Sequence, residues 1–547
     1  MSTAFHLLDV AIVAAYLATL AAVGVYFSRR QTDLNEFFRA RQTMAWLPVG
    51  LSLMAALNSG IDYLMQPAST IRYGVILLVG TSSWLFLYPW VTKVTLPFYR
   101  RLGVFTAYEF LEARFDVRVR TLAAAIFIVW RLGWMATAIY VPCLAINAAT
   151  GGRADLTTMI LVLGALVTVY TMLGGIQAVI WNDVIQFVIM FGGLAATVWI
   201  SLTSVPGGLS EIFTAASQAG KMSFAAPLAA GGGALDRIRL FFEQPINVTA
   251  ILCAIVFGRM AGYTSDQVMV QRFQTTKSLE DSRRAFIVNA AGDALWMFGL
   301  SFVGLALLAY FNHHPQPPDL APDKILPYFM SQVFPSGAVG LVIAAILAAS
   351  LSSIDSAINS CTSVLVIDVY QRLVADRFLC SRGPTPARSH SAPPLRGGPL
   401  RRLPRAAGAS AARDARQEVF VSRIATVAFG MLGTLLATNV SRIGTLLEIA
   451  NKLINAFAGP LFGIYLLAMF SRKATAFPAL AGGVAGSVTS YVVAYHSPIG
   501  FMWPSTFGLA ATLAVGWTLA WLTPARPSAA ALQLTWKAVV GVDTVSV

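Results

Sequence analysis

Ala348-Ala349-Ser350-Leu351-Ser352-Ser353-Ile354-Asp355-Ser356 sits in the middle of a stretch, Val339 to Val374, that is long enough to cross a bilayer. Polar side chains at that depth are expensive, and they line a cavity or an ion path rather than face lipid. Hydroxyls, freed backbone carbonyls and a carboxylate are hard oxygen donors suited to a hard cation. No Cys or His joins the cluster, which argues against zinc or copper. The stretch therefore reads as a cation site inside a membrane protein.

The rest of the chain agrees with that reading. Its 547 residues are 56% hydrophobic and 12% charged, and a soluble domain carries roughly twice that charged fraction. Apolar windows of about 20 residues recur along the whole length. They predict an all-α integral membrane protein with about thirteen transmembrane helices, near 8–28, 44–70, 74–98, 119–148, 156–173, 178–203, 244–263, 285–311, 337–370, 421–440, 445–470, 474–496 and 503–523. The first window lacks a basic n-region and is followed by Arg29-Arg30, so it reads as an uncleaved span and not a signal peptide. The four cysteines show neither a disulfide framework nor a metal motif.

A net charge of +14 would suit a nucleic-acid binder, but the basic residues sit in particular loops. Arg29, Arg30, Arg39 and Arg41 follow the first span, Arg100, Arg101, Arg114, Arg118 and Arg120 the third, and Arg272, Lys277, Arg283 and Arg284 the seventh. By the positive-inside rule the N-terminus is outside and the C-terminus cytoplasmic, in the plasma (inner) membrane of a cell. The segment from Arg372 to Arg416 holds ten arginines and no lysine. It reads as part of a disordered cytoplasmic loop, 372–420, which either touches anionic lipid or a partner, or is a tolerated insertion.

Span two carries Ala55-Ala56-Leu57-Asn58-Ser59-Gly60-Ile61-Asp62-Tyr63, with Pro67 beyond. Such residues mark a helix that is unwound near the midplane to line a cavity, or else a kinked helix whose polar groups satisfy its neighbours. Further on, Gly174-Gly175-Ile176-Gln177-Ala178-Val179-Ile180-Trp181-Asn182-Asp183-Val184-Ile185-Gln186 joins spans five and six across a short turn. This stretch closely resembles the Gly-Gly-x-x-Ala-Val-x-Trp-x-Asp-x-x-Gln motif of the sodium:solute symporter family. The loop Asp266-Gln267-Val268-Met269-Val270-Gln271-Arg272 is similar to that family's cytoplasmic Asp-Gln-x-x-x-Gln-Arg motif, and Leu351-Ser352-Ser353 to its Leu-Ser-[Ser/Thr] motif. The likeness covers roughly residues 8 to 525, with the arginine-rich segment as a departure.

That resemblance implies a LeuT-like five-plus-five inverted repeat with discontinuous helices. Residues 1–43 then hold the first span and its loop, 44–203 the first repeat, 204–470 the second repeat, 471–525 two peripheral spans and 526–547 a cytoplasmic tail. It implies a sodium site from the carbonyls of Ala55, Asn58 and Ala349 and the hydroxyls of Ser352 and Ser353. A second sodium in some members would fall at Asp183, with Asp355 and Ser356 converging on it; Asp355 otherwise faces a cytoplasmic vestibule or bonds to neighbouring hydroxyls.

Span four, with the Ser59–Gly74 stretch, looks most like the family branch carrying monocarboxylates, iodide and vitamins. Asp62, Arg131, Asn247 and Asn451 are the candidate solute contacts, Asn451 because it falls near the family's sugar-binding amide. Arg131 has three readings: a bidentate clamp on a solute carboxylate, an ion pair with Asp62, or a side chain snorkelling to the cytoplasmic face. The expected activity is Na+-coupled symport of a small organic solute, a monocarboxylate or other small anion, with sugars and amino acids as alternatives. A transporter-like sensor, a channel and a membrane enzyme are the rivals; no nucleophile–base pair supports an enzyme. The expected partners are sodium, the solute and the bilayer, not nucleic acid; the oligomeric state is not legible.

Overall fold

Within a bilayer every backbone N–H and C=O must find its partner in the chain, which leaves helices as the answer for long apolar runs. The computed structural model describes residues 6–28, 39–104, 106–224, 233–375 and 409–541, and every named element among them is helical. Arg29, Arg30, residues 376–408 of the arginine-rich segment and residues 542–547 of the tail lie outside the described residues.

The helices that position the site, in chain order, are α1 (Leu7–Ser28), α2 (Trp46–Leu57), α3 (Gly60–Tyr73), α4 (Val117–Ala149), α5 (Leu156–Thr203), α6 (Val248–Ser265) and α7 (Gln267–Thr275). They continue as α8 (Leu279–His313), α9 (Ala338–Val364), α10 (Ala409–Ala437), α11 (Ala458–Phe470), α12 (Ala476–Tyr495) and α13 (Pro504–Leu522). Between α3 and α4, Gly74–Ser83 is a 3-10 stretch and Trp90–Thr95 a π-helical one, joined by α-helix up to Leu102. Among the described residues ten helical runs are long and apolar enough to cross a membrane, and three shorter apolar helices accompany them. The ten runs do not reproduce the thirteen expected spans one for one, because Gly60–Leu102 is one run where two spans are expected to be separate and other expected spans are short or broken helices.

Span two is broken, as the Asn-Ser-Gly run suggests. Asn58 and Ser59 are extended (φ −101°, ψ 135° and φ −125°, ψ 169°), and Ser59 starts α3 with a capping box, exchanging bonds with Ile61 and Asp62. Gly60 is required by packing, because a Cβ there would meet the Ile346 carbonyl oxygen at 2.8 Å. The seventh span is broken too, which the sequence reading missed. The stretch read as a loop after it is α7, buried from Gln267 to Thr275, and Asp266 between α6 and α7 caps it by accepting the Val268 N–H at 2.9 Å.

Two further expectations need correction. Helix runs unbroken from Leu156 to Thr203, where two spans and a turn are expected. Yet a straight helix would set Tyr170 and Asp183 about 20 Å apart along its axis. Tyr170 reaches Asp355, while Asp183 and Ser356 are held by one guanidinium group of Arg272, so long side chains bring both halves of the run to one turn of α9. The expected disordered loop 372–420 is also too long. Helix continues to Ala375 and resumes at Ala409, where Ala409-Ser410-Ala411-Ala412 is a strong helix-forming sequence.

α9 is the centre of the bundle, with every residue from Val342 to Val364 buried, which is how it tolerates so many hydroxyls. It packs on α5 and α4. α1 is tied to its N-terminal end by Asp9, fully buried, whose carboxylate accepts the Gly337 and Gly340 N–H groups at 2.8 and 2.7 Å. That charge complements the helix N-terminus. At the other face the tail is docked: Trp536 donates to the Val94 carbonyl and Arg101 to those of Val539 and Val540.

Candidate functional site

The break between α2 and α3 faces the middle of α9. The Ser352 hydroxyl approaches the Ala55 carbonyl at 2.8 Å and the Ala349 carbonyl at 2.9 Å, and Ser353 approaches Ala349 at 3.4 Å. A hydroxyl has one proton, so Ser352 cannot donate to both carbonyls. The cluster is fully buried and holds more oxygen lone pairs than protons, the donor set a hard monovalent cation takes. Four of the five expected ligands, Ala55, Ala349, Ser352 and Ser353, thus meet here, and Asn58 stands at the break itself.

One turn further along α9 lies a charged cluster. Asp183 accepts from Ser52 at 2.5 Å and from Arg272 at 2.9 Å, and Arg272 also donates to Ser52 and Ser356. Asp355 has long side-chain contacts, to the Tyr170 hydroxyl at 3.5 Å and the Ser356 hydroxyl at 3.4 Å, and the Ser356 backbone beside it. The second oxygen of Asp183 is buried without a hydrogen-bond partner. Asp183, Asp355 and Ser356 are therefore brought together as expected, with Arg272 as an additional member. Two carboxylates face one guanidinium.

Beside the first break opens a cavity of about 230 Å³. Asp62, Arg131 and Asn451 line it, whereas Asn247 does not. Asn247 is spent on capping α6, accepting the Ala250 N–H and donating to the Phe241 carbonyl. Arg131 is ion-paired with Asp266 at the second break, not with Asp62, and lies over Trp130 and Trp134 at 4.8 and 5.1 Å. The pair is buried in the centre of the protein, so Arg131 does not snorkel.

Arg259 and Asp293 complete the charged lining; they pair at 2.8 Å, and Asp293 also accepts from Trp84. Sequence reasoning missed Arg259, Asp266 and Asp293. Their signal is present, since each is an intramembrane charge or the Asp of a helix-starting Ser-Asp-Gln.

Comparison with known proteins gives the family. The profile of the Sodium:solute symporter family matches residues 37–378. The sodium/sialic acid symporter SiaT of Proteus mirabilis is 29% identical over 516 residues, covering 94% of each chain. The human sodium-coupled monocarboxylate transporter 1 is 27% identical over 511 residues, covering 90% of this chain and 74% of its own.

Among solved structures, a substrate-bound, outward-open Na+-coupled sialic acid symporter superposes with a TM-score of 0.79 at 27% identity, covering 96% of this chain and 99% of that one. Mhp1, a nucleobase-cation-symport-1 transporter, shares the fold alone, with a TM-score of 0.55 at 15% identity over 91% of this chain and 97% of its own. The chain has the LeuT-like architecture of discontinuous helices and lies in a membrane. It belongs to the sodium:solute symporter family, and is a sodium-coupled secondary transporter of a small solute, not an enzyme.

Proposed function

We propose that this chain imports a small organic solute with sodium by alternating access, binding the ion at Ala55, Asn58, Ala349, Ser352 and Ser353 and the solute in the adjoining cavity. The observation that carries this reading is the single Ser352 proton set between two carbonyls. A cation at that point gives the Ala55 carbonyl, at the free end of α2, a partner it need not share with Ala349. Residues 44–203 and 204–470 act as the two halves that rock about the site, with the N-terminus outside and the C-terminus cytoplasmic in the plasma membrane. A second sodium sits at Asp183, Asp355 and Ser356, where two carboxylates meet one arginine and one oxygen is orphaned. Opening of the inner side frees the ion at Ser352 and Ser353 and releases the solute.

One sodium crossing 100 mV gains about 2.3 kcal/mol, and a tenfold gradient adds about 1.4. One ion therefore sustains roughly 500-fold accumulation of a neutral solute. The relatives' names point to carboxylate-bearing solutes. A monocarboxylate, however, reaches Arg131 only by displacing Asp266, so the geometry favours a solute with more than a carboxylate to offer.

The test is thermal stability of the purified protein against sodium, with potassium or choline holding ionic strength. A ligand that binds only the folded state raises stability by mass action. The expected result is a sodium-specific rise that Ser352→Ala/Ser353→Ala removes. The same rise in the double variant would take the ion away from this cluster.

A further inference from the structure

The charged lining of the cavity is unequal: three carboxylates, Asp62, Asp266 and Asp293, face two guanidinium groups, Arg131 and Arg259. Both cations are already engaged, Arg131 by Asp266 and Arg259 by Asp293. Their planar faces are occupied as well, since Arg131 lies over Trp130 and Trp134, and Arg259 over Trp84 at 4.6 Å. Asp62 forms no ion pair among the described residues. It lies within electrostatic reach of both Asp293 and Arg259. Asp293 in turn is fully buried, and its second oxygen has no hydrogen-bond partner. One corner of the cavity, between α3, α6 and α8, thus carries two carboxylates against one guanidinium.

The position of Asp62 sharpens the point. A helix N-terminus inside a membrane attracts an anion, because its free N–H groups and dipole present partial positive charge. At α3 that anion is the protein's own: Asp62 accepts the Ser59 N–H at 2.7 Å from the third position of the helix. A solute whose only charge is a carboxylate finds this place taken, and it would bring a net fourth negative charge into a low-dielectric space. A positively charged nitrogen instead offsets the surplus and supplies hydrogens or charge to the open oxygens of Asp62 and Asp293.

We infer that the transported solute carries a cationic nitrogen, as an amino acid, a betaine or a simple amine does, and that Asp62 with Asp293 recognises it. This inference rests on reading the cavity as the solute site. It makes Asp62 the residue that separates such solutes from plain monocarboxylates.

The experiment uses the purified full chain in sodium, with thermal stability read against choline, glycine betaine and L-proline on one side and pyruvate and lactate on the other. At least one nitrogen-bearing probe is expected to raise stability. Asp62→Asn should weaken that response at least about 30-fold in apparent affinity, as loss of one partner of a buried charge pair does. Asparagine can still accept the Ser59 N–H, so the helix start is kept. Asp62→Glu keeps both charge and cap while extending by one methylene, and it should respond to the probes in a changed order of affinity.

A response to pyruvate or lactate alone, silence of all three nitrogen-bearing probes, or an unchanged response in both variants would overturn the inference. The sodium-dependent rise measured without any solute separates the two readings. If it persists and depends on Ser352 and Ser353, only the solute class has failed. If it is absent, sodium coupling at this site has failed as well.

Discussion

The two helix breaks solve one problem in opposite ways. Interrupting a helix in a membrane frees backbone carbonyls that lipid cannot satisfy. At the α6–α7 break the protein supplies the donors itself: Tyr99 donates to the Thr264 carbonyl at 2.5 Å and Tyr108 to that of Ser265 at 2.9 Å. The charge of Asp266 is met there by Arg131. At the α2–α3 break, the Ala55 carbonyl has the Ser352 hydroxyl, which the Ala349 carbonyl shares. At the first break Asn58 serves the Met54 carbonyl twice, and only the Ala55 carbonyl depends on a hydroxyl shared with α9, whereas at the second each of these two carbonyls has a phenol of its own. A broken span is therefore not in itself an ion site; what decides is whether the surrounding side chains bring enough hydrogens.

Asp266→Asn attacks the second break hardest. Asparagine caps a helix as well as aspartate does, so the bond to the Val268 N–H survives and only the charge is lost. Arg131 is then left buried without its partner, at a cost of about 3–5 kcal/mol, measurable as a large fall in denaturation midpoint. A small effect would mean that Trp130 and Trp134 hold the guanidinium without help. Tyr108→Phe comes next. It leaves the Ser265 carbonyl without its donor and should cost about 1–3 kcal/mol, with the dependence of stability on sodium unchanged. A change in that dependence would erase the distinction between the two breaks.

These comparisons also explain how much of the site the sequence could disclose. The first break is written in local chemistry, because Asn58, Ser59 and Gly60 each disfavour a continuing helix, and α9 announces itself by hydroxyls in an apolar run. The second break is hidden, since Thr264-Ser265-Asp266-Gln267 after a span reads equally well as the start of a loop. Only burial of the whole of α7 separates the two. The pairing of Arg131 was likewise beyond reach, as its partner Asp266 is distant in the chain and Asp62 looked as suitable. Charge counts within a cavity require knowing which side chains line it.

The side of the first break can be tested further along α9. If the Asp183–Asp355 cluster holds a second ion, stability should rise by about 2.8 kcal/mol per tenfold sodium above saturation, twice the 1.4 of a single ion. Asp355→Asn removes a carboxylate whose side-chain contacts are long. It should bring the slope down to about 1.4 kcal/mol per tenfold. A slope that stays the same removes Asp355 from ion binding and leaves Arg272 and Ser52 as sufficient partners for Asp183.

The gentlest test compares the two breaks at the same structural position. Ser59 and Asp266 are both N-caps: Ser59 accepts the Ile61 N–H at 3.2 Å and Asp266 the Val268 N–H at 2.9 Å. Ser59→Ala removes a cap and no charge, while Asp62 can still accept the backbone N–H of residue 59. The expected loss is about 1 kcal/mol, several times less than for Asp266→Asn, with the sodium slope kept because the Ser59 side chain is not among the ion's oxygens. Equal losses in the two variants would mean that capping, not the Arg131 ion pair, dominates the second break. A loss of sodium dependence in Ser59→Ala would mean that the α3 cap sets the position of the Ala55 and Asn58 carbonyls, so that the order of α3 and the affinity of the ion site are one property.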